Sequence, residues 1–348
     1  MSKVKLAVIG AGRQCTKSLM PGIPYIETLD LVAVCDLQQE LAERNARNFG
    51  ARAAYTDIEK MLAEARPEAC MVVGPPQMHL DIGLRVLEAG CHLFVEKPTA
   101  PTVEGARKLA ELSVKKGLVG QVGHMMRHAG PVRIAEELSK SEGFGKLLSV
   151  ESKYTTWPTG ALPADSGWGN SDEDWSYMLV QGGHPIDLLR HFLGEVARVS
   201  AFRCHGQKNA KVYQATLEGQ DGRVGFLNLQ DSFNGWYTGL ELVGDGKAVV
   251  RVDDLGRVTY RTGKRMNEAA RAFWGNDTQV WEPHHTLSAW ERTGYGNQLR
   301  HFADCILNKK APYPSLVDGW KNLVVARAIL DSIAQRKTIE APQETLAV

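Results

Sequence analysis

A glycine-rich segment near the N-terminus has the residue types and spacing of a phosphate-binding loop. It follows a short apolar run at residues 6–9, so a strand is expected to lead into it. The first glycine permits a tight turn, and the second lets the backbone approach a pyrophosphate at the N-terminus of a following helix. Cys15 stands where the usual third glycine would be, and an ordinary strand-to-helix turn is the alternative. The residues expected to contact the cofactor here are Gly10, Ala11, Gly12, Arg13 and Gln14.

An acidic residue at the end of the next apolar run supports the same interpretation. Asp36 lies 24 residues after Gly12, close to the spacing of a carboxylate that binds ribose hydroxyls. The alternatives for Asp36 are a solvated strand-end acid and a helix cap. Leu37 follows it, rather than an Arg or Ser that would accommodate a 2′-phosphate. The pattern therefore favours NAD over NADP as the cofactor.

A lysine just after the apolar run at residues 92–95 is the candidate for substrate chemistry. Lys97 can donate a hydrogen bond to a substrate oxygen and stabilise a developing alkoxide while hydride leaves the carbon. The alternative is a strand-end lysine that extends into water. In an extended strand Glu96 points to the opposite face, so no direct pair between Glu96 and Lys97 is expected. Pro98 restricts the local backbone, and the sequence leaves a cis or trans bond before it open.

A histidine in the second half of the chain is the candidate acid–base group. Pro185 suits the first position of a helix that residues 186–192 continue, which makes His184 the expected N-cap. The positive end of a helix lowers the pKa of an imidazole, so a neutral His184 that can accept a hydroxyl proton is expected. Asp187 follows three residues later. Its position suits a helix cap and a substrate contact equally well.

Alternating strands and helices in the first third of the chain must position these residues. Five short apolar runs are predicted strands, at residues 6–9, 31–35, 69–73, 92–95 and 119–122, and helical patterns separate most of them. Such strands form a parallel, doubly wound sheet that is covered on both faces and binds ligands at its carboxyl edge. Gly74 and Pro75 end the third run, so they are expected to join the cofactor residues at that edge.

The remainder of the chain has a different pattern. Seven alternating runs with short connections are predicted strands, at residues 150–157, 196–205, 212–218, 223–231, 239–243, 247–252 and 258–262. They indicate an antiparallel sheet. One face is expected to cover the active site, and the other to pack on a second subunit in a homodimer or homotetramer. A helix at residues 316–335 is expected to pack back on this sheet. The fold class is α/β, with a cofactor domain at residues 1–123 and an α+β substrate-binding and oligomerisation domain at residues 124–348.

Three further residues are predicted to line the substrate pocket. Arg127 follows the last strand of the first domain, where it binds a substrate oxygen or an acid of the other domain. Trp168 lies in a polar loop, and its ring suits the apolar face of a sugar or anchors the loop in the core. Tyr295 is a pocket candidate with the same alternative. The adjacent His284 and His285 have no carboxylate at ligand spacing, so no metal site is expected.

Composition argues against several other classes of protein. The 348 residues contain 41 Lys and Arg against 40 Asp and Glu, so there is no basic field to hold a nucleic acid. The six cysteines are far apart and lack zinc spacing, which indicates a reducing, cytoplasmic compartment. The first apolar run is too short for a signal peptide, and no run reaches the length of a membrane span. The expected partner is therefore a small molecule, not a membrane or a nucleic acid.

Taken together, the motifs resemble those of the Gfo/Idh/MocA oxidoreductases over nearly the whole chain. The matching segments are residues 8–12, 34–36, 75–79, 89–98, 122–127, 182–187 and 294–302. The resemblance implies an N-terminal Rossmann domain, an open, mainly antiparallel C-terminal sheet, and NAD(P)-dependent oxidation or reduction of sugars, cyclic polyols and related compounds. It also implies a catalytic Lys97, a Glu96 near the nicotinamide, an Asp187 that binds a substrate hydroxyl, and a His79 on the cofactor side.

One position departs from the family pattern. Dehydrogenases of this family often carry an aspartate four residues before the histidine, where this chain has Val180, followed by Gln181. The change removes a partner for Lys97 and His184 but leaves the hydride site in place. Two other functions of the same scaffold stay open. One is an NAD-retaining enzyme that cleaves glycosides, and the other is a non-catalytic sensor of sugars or dinucleotides.

Overall fold

Six parallel strands form the first sheet of the computed structural model, in the order β3-β2-β1-β4-β5-β6. The described residues are 2–156, 172–206, 210–231, 235–263, 277–283, 292–342 and 346. The strands are Val4–Ile9 (β1), Leu29–Cys35 (β2), Ala53–Tyr55 (β3), Ala69–Val72 (β4), His92–Val95 (β5) and Gly120–Val122 (β6). The five predicted strands are confirmed, and β3 was missed because three residues show no pattern. The strand order reverses beside β1, which places a ligand crevice at the carboxyl ends of β1 and β4.

Helices cover both faces of this sheet. They are Gln39–Phe49 (α1), Ile58–Ala65 (α2), Pro76–Glu88 (α3) and Val103–Lys115 (α4). The strands are apolar throughout because both faces are buried, and residues such as Val8, Cys70 and Phe94 are fully enclosed. The sequence prediction of a doubly wound parallel sheet is therefore confirmed.

The segment after the glycine loop is helical but is not a regular α-helix. A π-helical turn at Cys15–Leu19 passes into a 3-10 segment at Met20–Tyr25. Pro21 and Pro24 lie in this segment, and a proline has no N–H for the i to i−4 bond of an α-helix. The predicted helix start at the loop is nevertheless present, because the Thr16 N–H donates to the Gly12 carbonyl at 3.0 Å.

Nine strands form the second sheet, in the order β14-β13-β12-β11-β7-β10-β9-β8-β15. They are Leu147–Thr156 (β7), Val196–His205 (β8), Lys211–Gly219 (β9), Val224–Gln230 (β10), Trp236–Gly244 (β11), Ala248–Asp253 (β12), Arg257–Arg261 (β13), Thr278–Trp281 (β14) and Ile339–Glu340 (β15). β7 and β10 pair in parallel, whereas the other neighbours are antiparallel. The seven predicted strands are confirmed in place, and the two short edge strands were missed.

Five helices complete the described fold, and two of them return to the first sheet. They are Gly130–Ser139 (α5), Glu173–Tyr177 (α6), Gly183–Leu193 (α7), Tyr295–Leu307 (α8) and Leu316–Gln335 (α9). As predicted, α9 packs on the second sheet at β8, and it also contacts α4 and α7. Phe302 of α8 packs edge-on against Phe94 of β5, with ring centroids 5.8 Å apart. Both helices belong by sequence to the proposed domain 124–348, yet they pack against the first sheet.

The described residues contain no cluster of His, Cys, Asp and Glu that could hold a metal ion. All six cysteines are free thiols, and Cys204 is the exposed member of the set. None of the helices in the described ranges combines the length and the apolar character that a bilayer span needs.

Candidate active site

A cleft of about 720 Å³ opens at the carboxyl edge of the first sheet and faces the second sheet. The loops after β1, β4 and β5 form one wall, and β7, β11, the turn before α7 and the start of α8 form the other. The predicted cofactor residues on this cleft are Gly12, Arg13, Gln14, Gly74 and Pro75. Glu96, which was also predicted on the cofactor side, lines the cleft as well. Of the predicted substrate and catalytic residues, Lys97, His184 and Tyr295 line it. The strand ends therefore converge on one crevice, as the sequence indicated.

The glycine loop has the backbone geometry of a phosphate cradle. Gly10 has φ +88°, and a Cβ there would lie 2.1 Å from the Val73 carbonyl oxygen. A Cβ on Gly12 would meet no protein atom within 4 Å, so that glycine faces open space. The helical turn begins at this point, so its first N–H groups are available to an anion. The loop is tight at one glycine and open at the other, which suits a bound pyrophosphate.

Asp36 braces the loop and faces a second cavity of about 520 Å³. Its Oδ2 accepts a hydrogen bond from the Ala11 N–H at 2.8 Å, and its Oδ1 accepts one from the Gln38 N–H at 3.0 Å. Apolar side chains, among them Ile58 and Ile82, line the same cavity together with Gly10. A carboxylate beside an apolar slot suits the ribose and base of an adenosine.

The two cavities flank the glycine loop, and these residues fit a dinucleotide. The smaller cavity would hold the adenosine, with Asp36 toward its ribose hydroxyls. The open face of Gly12 would receive the pyrophosphate, and the larger cleft would receive the nicotinamide beside Gly74 and Pro75. Leu37 is 93% exposed and offers no charge to a 2′-phosphate. The site is therefore built for NAD.

Lys97 extends from the end of β5 into the cleft and is held by a backbone carbonyl. Its Nζ donates to the Val180 carbonyl at 3.0 Å. Val180 lies in a π-helical turn, Met178–Gly182, just before α7. In such a turn the carbonyl bonds to the N–H five residues later, which here is Pro185, and proline has none. With no N–H at that position, the carbonyl keeps a lone pair for the amine.

Two opposing effects act on the pKa of the Lys97 amine. Burial lowers the pKa of Lys97 below its ordinary value, and the neighbouring Glu96 opposes this effect. Glu96 does not bond to the amine. Its Oε2 instead accepts from the backbone N–H of Lys97 at 2.8 Å. This arrangement agrees with the expectation that the two side chains diverge along the strand. The Lys97–Pro98 bond, which the sequence left open, is cis.

Glu96 is a buried carboxyl group of the cleft with a raised pKa. Its residue is 3% exposed, and burial raises its pKa to about 7, against the lowering effect of the Lys97 charge. The group therefore changes charge in the neutral pH range. A carboxylate here favours a charged Lys97, so the state of Glu96 controls the electrostatics of the cleft.

His184 reaches the cleft from α7, but not as the N-cap that the sequence predicted. The preceding π-helical turn and α7 form a continuous helical path, and Gly182 already has helical φ and ψ. The N-cap prediction was therefore wrong, because no free helix end lies at His184. Its pKa is well below the ordinary value, as expected, but the cause is burial, followed by the nearby charge of Lys97. A neutral imidazole results in either case.

A buried amide holds the segment that carries His184. The Asn322 side-chain amide of α9 donates to the Gly183 carbonyl at 2.9 Å and to Nε2 of His124 at 3.1 Å. His124 packs edge-on against His184, with ring centroids 6.2 Å apart. Because its Nε2 accepts a proton donor, His124 is neutral, and burial lowers its pKa to about 4. Asn322 thus fixes both the backbone before His184 and the ring beside it.

Arg127 and Asp187 form a buried ion pair outside the cleft lining. Both oxygens of Asp187 are bonded, to Nε and Nη2 of Arg127 at 2.8 and 2.7 Å. The side chains are 3% and 1% exposed. Arg127 also reaches Asp318 at 3.4 Å. The helix-cap reading of Asp187 was wrong because its carboxylate bonds to this guanidinium. Arg127 binds an acid of the other half of the chain, the second of its two predicted partners, and the substrate contacts predicted for both residues find no support.

His79 lies behind the cofactor loops rather than on the cleft surface. It is fully buried. Its Nε2 accepts from the Gly74 N–H at 3.0 Å, and its Nδ1 lies 2.7 Å from the Pro98 carbonyl. Both contacts require the neutral ring with a proton on Nδ1, and burial lowers its pKa to about 4. The expected cofactor-side role is therefore indirect, because His79 ties the loop after β4 to the turn after β5.

Tyr295 lies where the sequence placed it, at the cleft. Its hydroxyl accepts from Nε2 of Gln14 at 3.1 Å, so α8 closes over the glycine loop. Trp168 lies outside the described residues, as do His284 and His285. Sequence reasoning missed Tyr154 and Trp236, which line the second-sheet wall of the cleft. Both fall in or beside predicted strands, and an aromatic residue in an alternating strand pattern is not distinguishable from a core residue.

Comparison with known proteins gives a match along most of the chain. A family profile described as Oxidoreductase family, NAD-binding Rossmann fold (GFO_IDH_MocA), matches residues 4–124. A second profile, described as Oxidoreductase family, C-terminal alpha/beta domain (GFO_IDH_MocA_C), matches residues 137–341. Both sheets of the structure are thus covered by profiles of one family.

Two curated relatives differ in how much of the chain they match. The D-glucoside 3-dehydrogenase of Escherichia coli K12 is 30% identical over 61% of this chain, and the match spans 58% of that protein. The scyllo-inositol 2-dehydrogenase (NAD(+)) of Bacillus subtilis 168 is 24% identical, over 95% of this chain and 94% of that protein. The first of these relatives is therefore matched over little more than half of its length.

A solved structure shows the same fold. The dehydrogenase from Chromobacterium violaceum superposes with a TM-score of 0.89, at 24% identity, over 97% of each chain.

The two glycines of the loop predict different effects of alanine. Gly10→Ala places a Cβ against the Val73 carbonyl at positive φ, so we expect the free energy of unfolding to fall by at least about 1–2 kcal/mol. Gly12→Ala finds open space in the protein, so stability is expected to hold while NADH binding weakens. Urea unfolding and NADH fluorescence titration measure the two effects. Unchanged NADH affinity in Gly12→Ala would place the pyrophosphate elsewhere.

The buried ion pair gives a prediction about stability. Arg127→Leu leaves Asp187 charged and without its partner in the core, and we expect a loss of about 3–5 kcal/mol in unfolding free energy. Arg127→Leu/Asp187→Leu removes both charges and is expected to recover most of that loss. Urea unfolding of both variants measures the difference. A double variant as unstable as the single one would show that the pair itself, not the stranded charge, carries the energy.

Proposed function

Because this chain belongs to the Gfo/Idh/MocA oxidoreductase family, we propose that it transfers a hydride between NAD and a secondary alcohol or ketone of a sugar, cyclic polyol or related compound. The supporting observation is the cleft that presents the Lys97 amine and the His184 imidazole beside the loops of the cofactor site. When bound, NAD takes up the hydride from the carbon that bears the reacting hydroxyl. The residues of the chain have to orient that carbon, stabilise the negative charge that develops on its oxygen and accept the hydroxyl proton.

Lys97 is proposed to bind the reacting oxygen. One N–H of its ammonium is used by the Val180 carbonyl, which leaves two for a substrate. A positive donor stabilises the negative charge that develops on the oxygen during oxidation. Because the amine is already fixed, little reorganisation is needed when the substrate enters.

His184 is proposed to exchange the hydroxyl proton. Its depressed pKa keeps the imidazole neutral at neutral pH, so it can accept the proton during oxidation. In the reverse direction the same ring returns the proton to the oxygen. Lys97 and His184 line the same cleft, and the Lys97 charge contributes to the low pKa of His184, which supports one oxygen bound by both.

A polyhydroxylated ring fits the second-sheet wall of the cleft. Tyr154 and Trp236 give this wall aromatic surface, and Gln181 and Thr293 add polar groups. Two of the named relatives act, by their names, on a D-glucoside and on scyllo-inositol. We propose a substrate of this general class.

The outer face of the second sheet is proposed to join subunits in a homodimer or homotetramer. Phe202 and Phe226 are 73% and 43% exposed, whereas their neighbours Ala201 and Leu227 are buried. The exposed rings thus lie on the face that α7 and α9 do not cover. Free, mostly buried cysteines support the further proposal of a cytoplasmic location.

A cofactor and substrate screen tests the proposed function. The full chain is incubated with NAD or NADP and with sugars, inositols, sugar acids and glycosides, and NADH formation is followed by absorbance. Net reduction of NAD by a sugar or polyol is expected. Glycoside cleavage without net NADH would instead identify the NAD-retaining enzyme, and binding without turnover over the whole panel would identify a sensor.

Removal of the two proposed catalytic groups should separate chemistry from cofactor binding. Lys97→Met keeps the length of the side chain without its charge, and His184→Gln removes the proton acceptor. We expect kcat/KM to fall about 10²–10⁴-fold in each variant, with NADH binding retained. Steady-state kinetics and NADH fluorescence measure the two quantities. Full turnover in Lys97→Met would contradict the proposed role of the amine.

The raised pKa of Glu96 predicts a pH dependence. Its carboxyl is neutral below a pKa of about 7 and charged above it, and the charged form favours the Lys97 ammonium. We therefore expect kcat/KM for oxidation to rise with pH through about 7. Glu96→Gln is neutral at every pH and should lose this inflection. His184 cannot cause it, because its pKa lies well below 6.5. An identical inflection in Glu96→Gln would assign it to another group.

A further inference from the structure

A phenol in the cleft wall has a hydrogen-bond donor that no other described residue accepts. The Tyr154 hydroxyl accepts a hydrogen bond from the indole N–H of Trp236 at 2.7 Å. An indole N–H can only donate, so the phenol oxygen is the acceptor and its own hydrogen must point elsewhere. Among the described residues no acceptor bonds to that hydrogen. Because Tyr154 lines the cleft, this hydrogen is available to a ligand that enters it.

The position of this donor relates it to the proposed chemistry. Tyr154 lies on β7, is 4% exposed and lines the same cleft as Lys97 and His184. Its ring centroid is 5.9 Å from that of His184. Trp236 crosses it edge-on at 6.0 Å and an angle of 85°, which fixes the orientation of the phenol. The phenol ring is therefore held beside the ring of the proposed proton acceptor.

The chemistry of the phenol limits what it can do. Burial raises the pKa of Tyr154 above its ordinary value, so the hydroxyl stays protonated at neutral pH and acts as a donor. Lys97 and His184 already provide the contacts that the reacting oxygen needs. The hydrogen of Tyr154 is therefore available to a different oxygen of the same molecule.

We propose that Tyr154, oriented by Trp236, donates a hydrogen bond to the substrate oxygen on the carbon next to the reacting one. The inference rests on the proposed function and narrows its substrate class to compounds with vicinal oxygens, as in sugars and cyclic polyols. Tyr154 is then a specificity-determining residue. A substrate without the neighbouring hydroxyl leaves the phenol unsatisfied and is disfavoured.

The inference is tested by comparing the wild-type chain and Tyr154→Phe, each with a substrate and with its deoxy analogue. The best substrate among D-glucose, methyl β-D-glucopyranoside and myo-inositol is identified first, and the oxidised carbon is located by NMR of the product. The monodeoxy analogue that lacks the hydroxyl beside that carbon is the second substrate. The wild-type chain is expected to prefer the parent compound by about 10-fold or more in kcat/KM. Tyr154→Phe should lose most of this preference because only the parent compound becomes slower.

Two further variants serve as a second test and a control. Trp236→Phe keeps an aromatic ring but removes the N–H that orients the phenol, so we expect a partial loss of the same preference. Tyr237→Phe is the matched control. It lies next to Trp236 on β11, and its hydroxyl donates to Asp253 rather than into the cleft. Its kinetics should equal those of the wild-type chain. Thermal unfolding and NADH titration show that each variant is folded.

The outcomes separate this inference from the proposed function. If Tyr154→Phe slows both substrates equally, or slows neither, the inference is overturned while the hydride-transfer proposal stands. If the wild-type chain turns over none of the three compounds, the hydride-transfer proposal loses its support. Calorimetry of the NADH-loaded chain with D-glucose and with each of its monodeoxy analogues then decides the inference. Tighter binding of D-glucose than of one deoxy analogue, with a difference that disappears in Tyr154→Phe, supports it, and any other result contradicts it.

Discussion

The Lys97 amine is held at one point of the cleft by a hydrogen bond to a backbone carbonyl. Burial works against the charge, so the fold has to supply acceptors at the right place. One acceptor is the Val180 carbonyl, which becomes available because the turn before α7 is π-helical and Pro185 has no N–H to offer. The irregular turn, the proline and the position of β5 therefore belong to one arrangement.

Two sets of buried hydrogen bonds fix the position of α7, which carries His184 and follows the turn that contains Val180. A shift of this helix would move the Val180 carbonyl and the His184 ring together. The buried pair of Arg127 and Asp187 links α7 to the chain just after β6. Asn322 adds a second link from α9 to the backbone beside His184. Buried ion pairs contribute little to stability when compared with apolar packing, but they define one geometry strictly. Here that geometry is the relation between the two walls of the cleft.

The fold and cofactor residues of the first domain were predictable because each strand and loop is indicated by residues close together in the sequence. The end of each strand can be located from nearby residues, such as an apolar run, the glycine loop or Asp36. In a parallel sheet the carboxyl ends of the strands lie at one edge, so these residues come together. Contacts between segments that are far apart in the sequence are not indicated by any local pattern of residues. The sequence gives Asp187 three residues after His184, but not that Arg127 from another element takes both of its oxygens. It also places Tyr154 in a strand without showing that the tyrosine faces the cleft.

The valine that replaces the expected aspartate changes the charge balance of the cleft more than its shape. A carbonyl dipole stabilises an ammonium less than a full carboxylate does, so the Lys97 charge is less well compensated. Among the described residues that line the cleft, Glu96 is the one acid, and its pKa of about 7 leaves it half neutral near pH 7. The cleft is therefore more positive than one with the aspartate would be. Such a field favours a negative charge on an oxygen bound beside Lys97, and the low pKa of His184 keeps its imidazole neutral there. Without that carboxylate, the Val180 carbonyl binds the Lys97 amine. The charge on Glu96 is then the effect that opposes the lowering of the Lys97 pKa by burial.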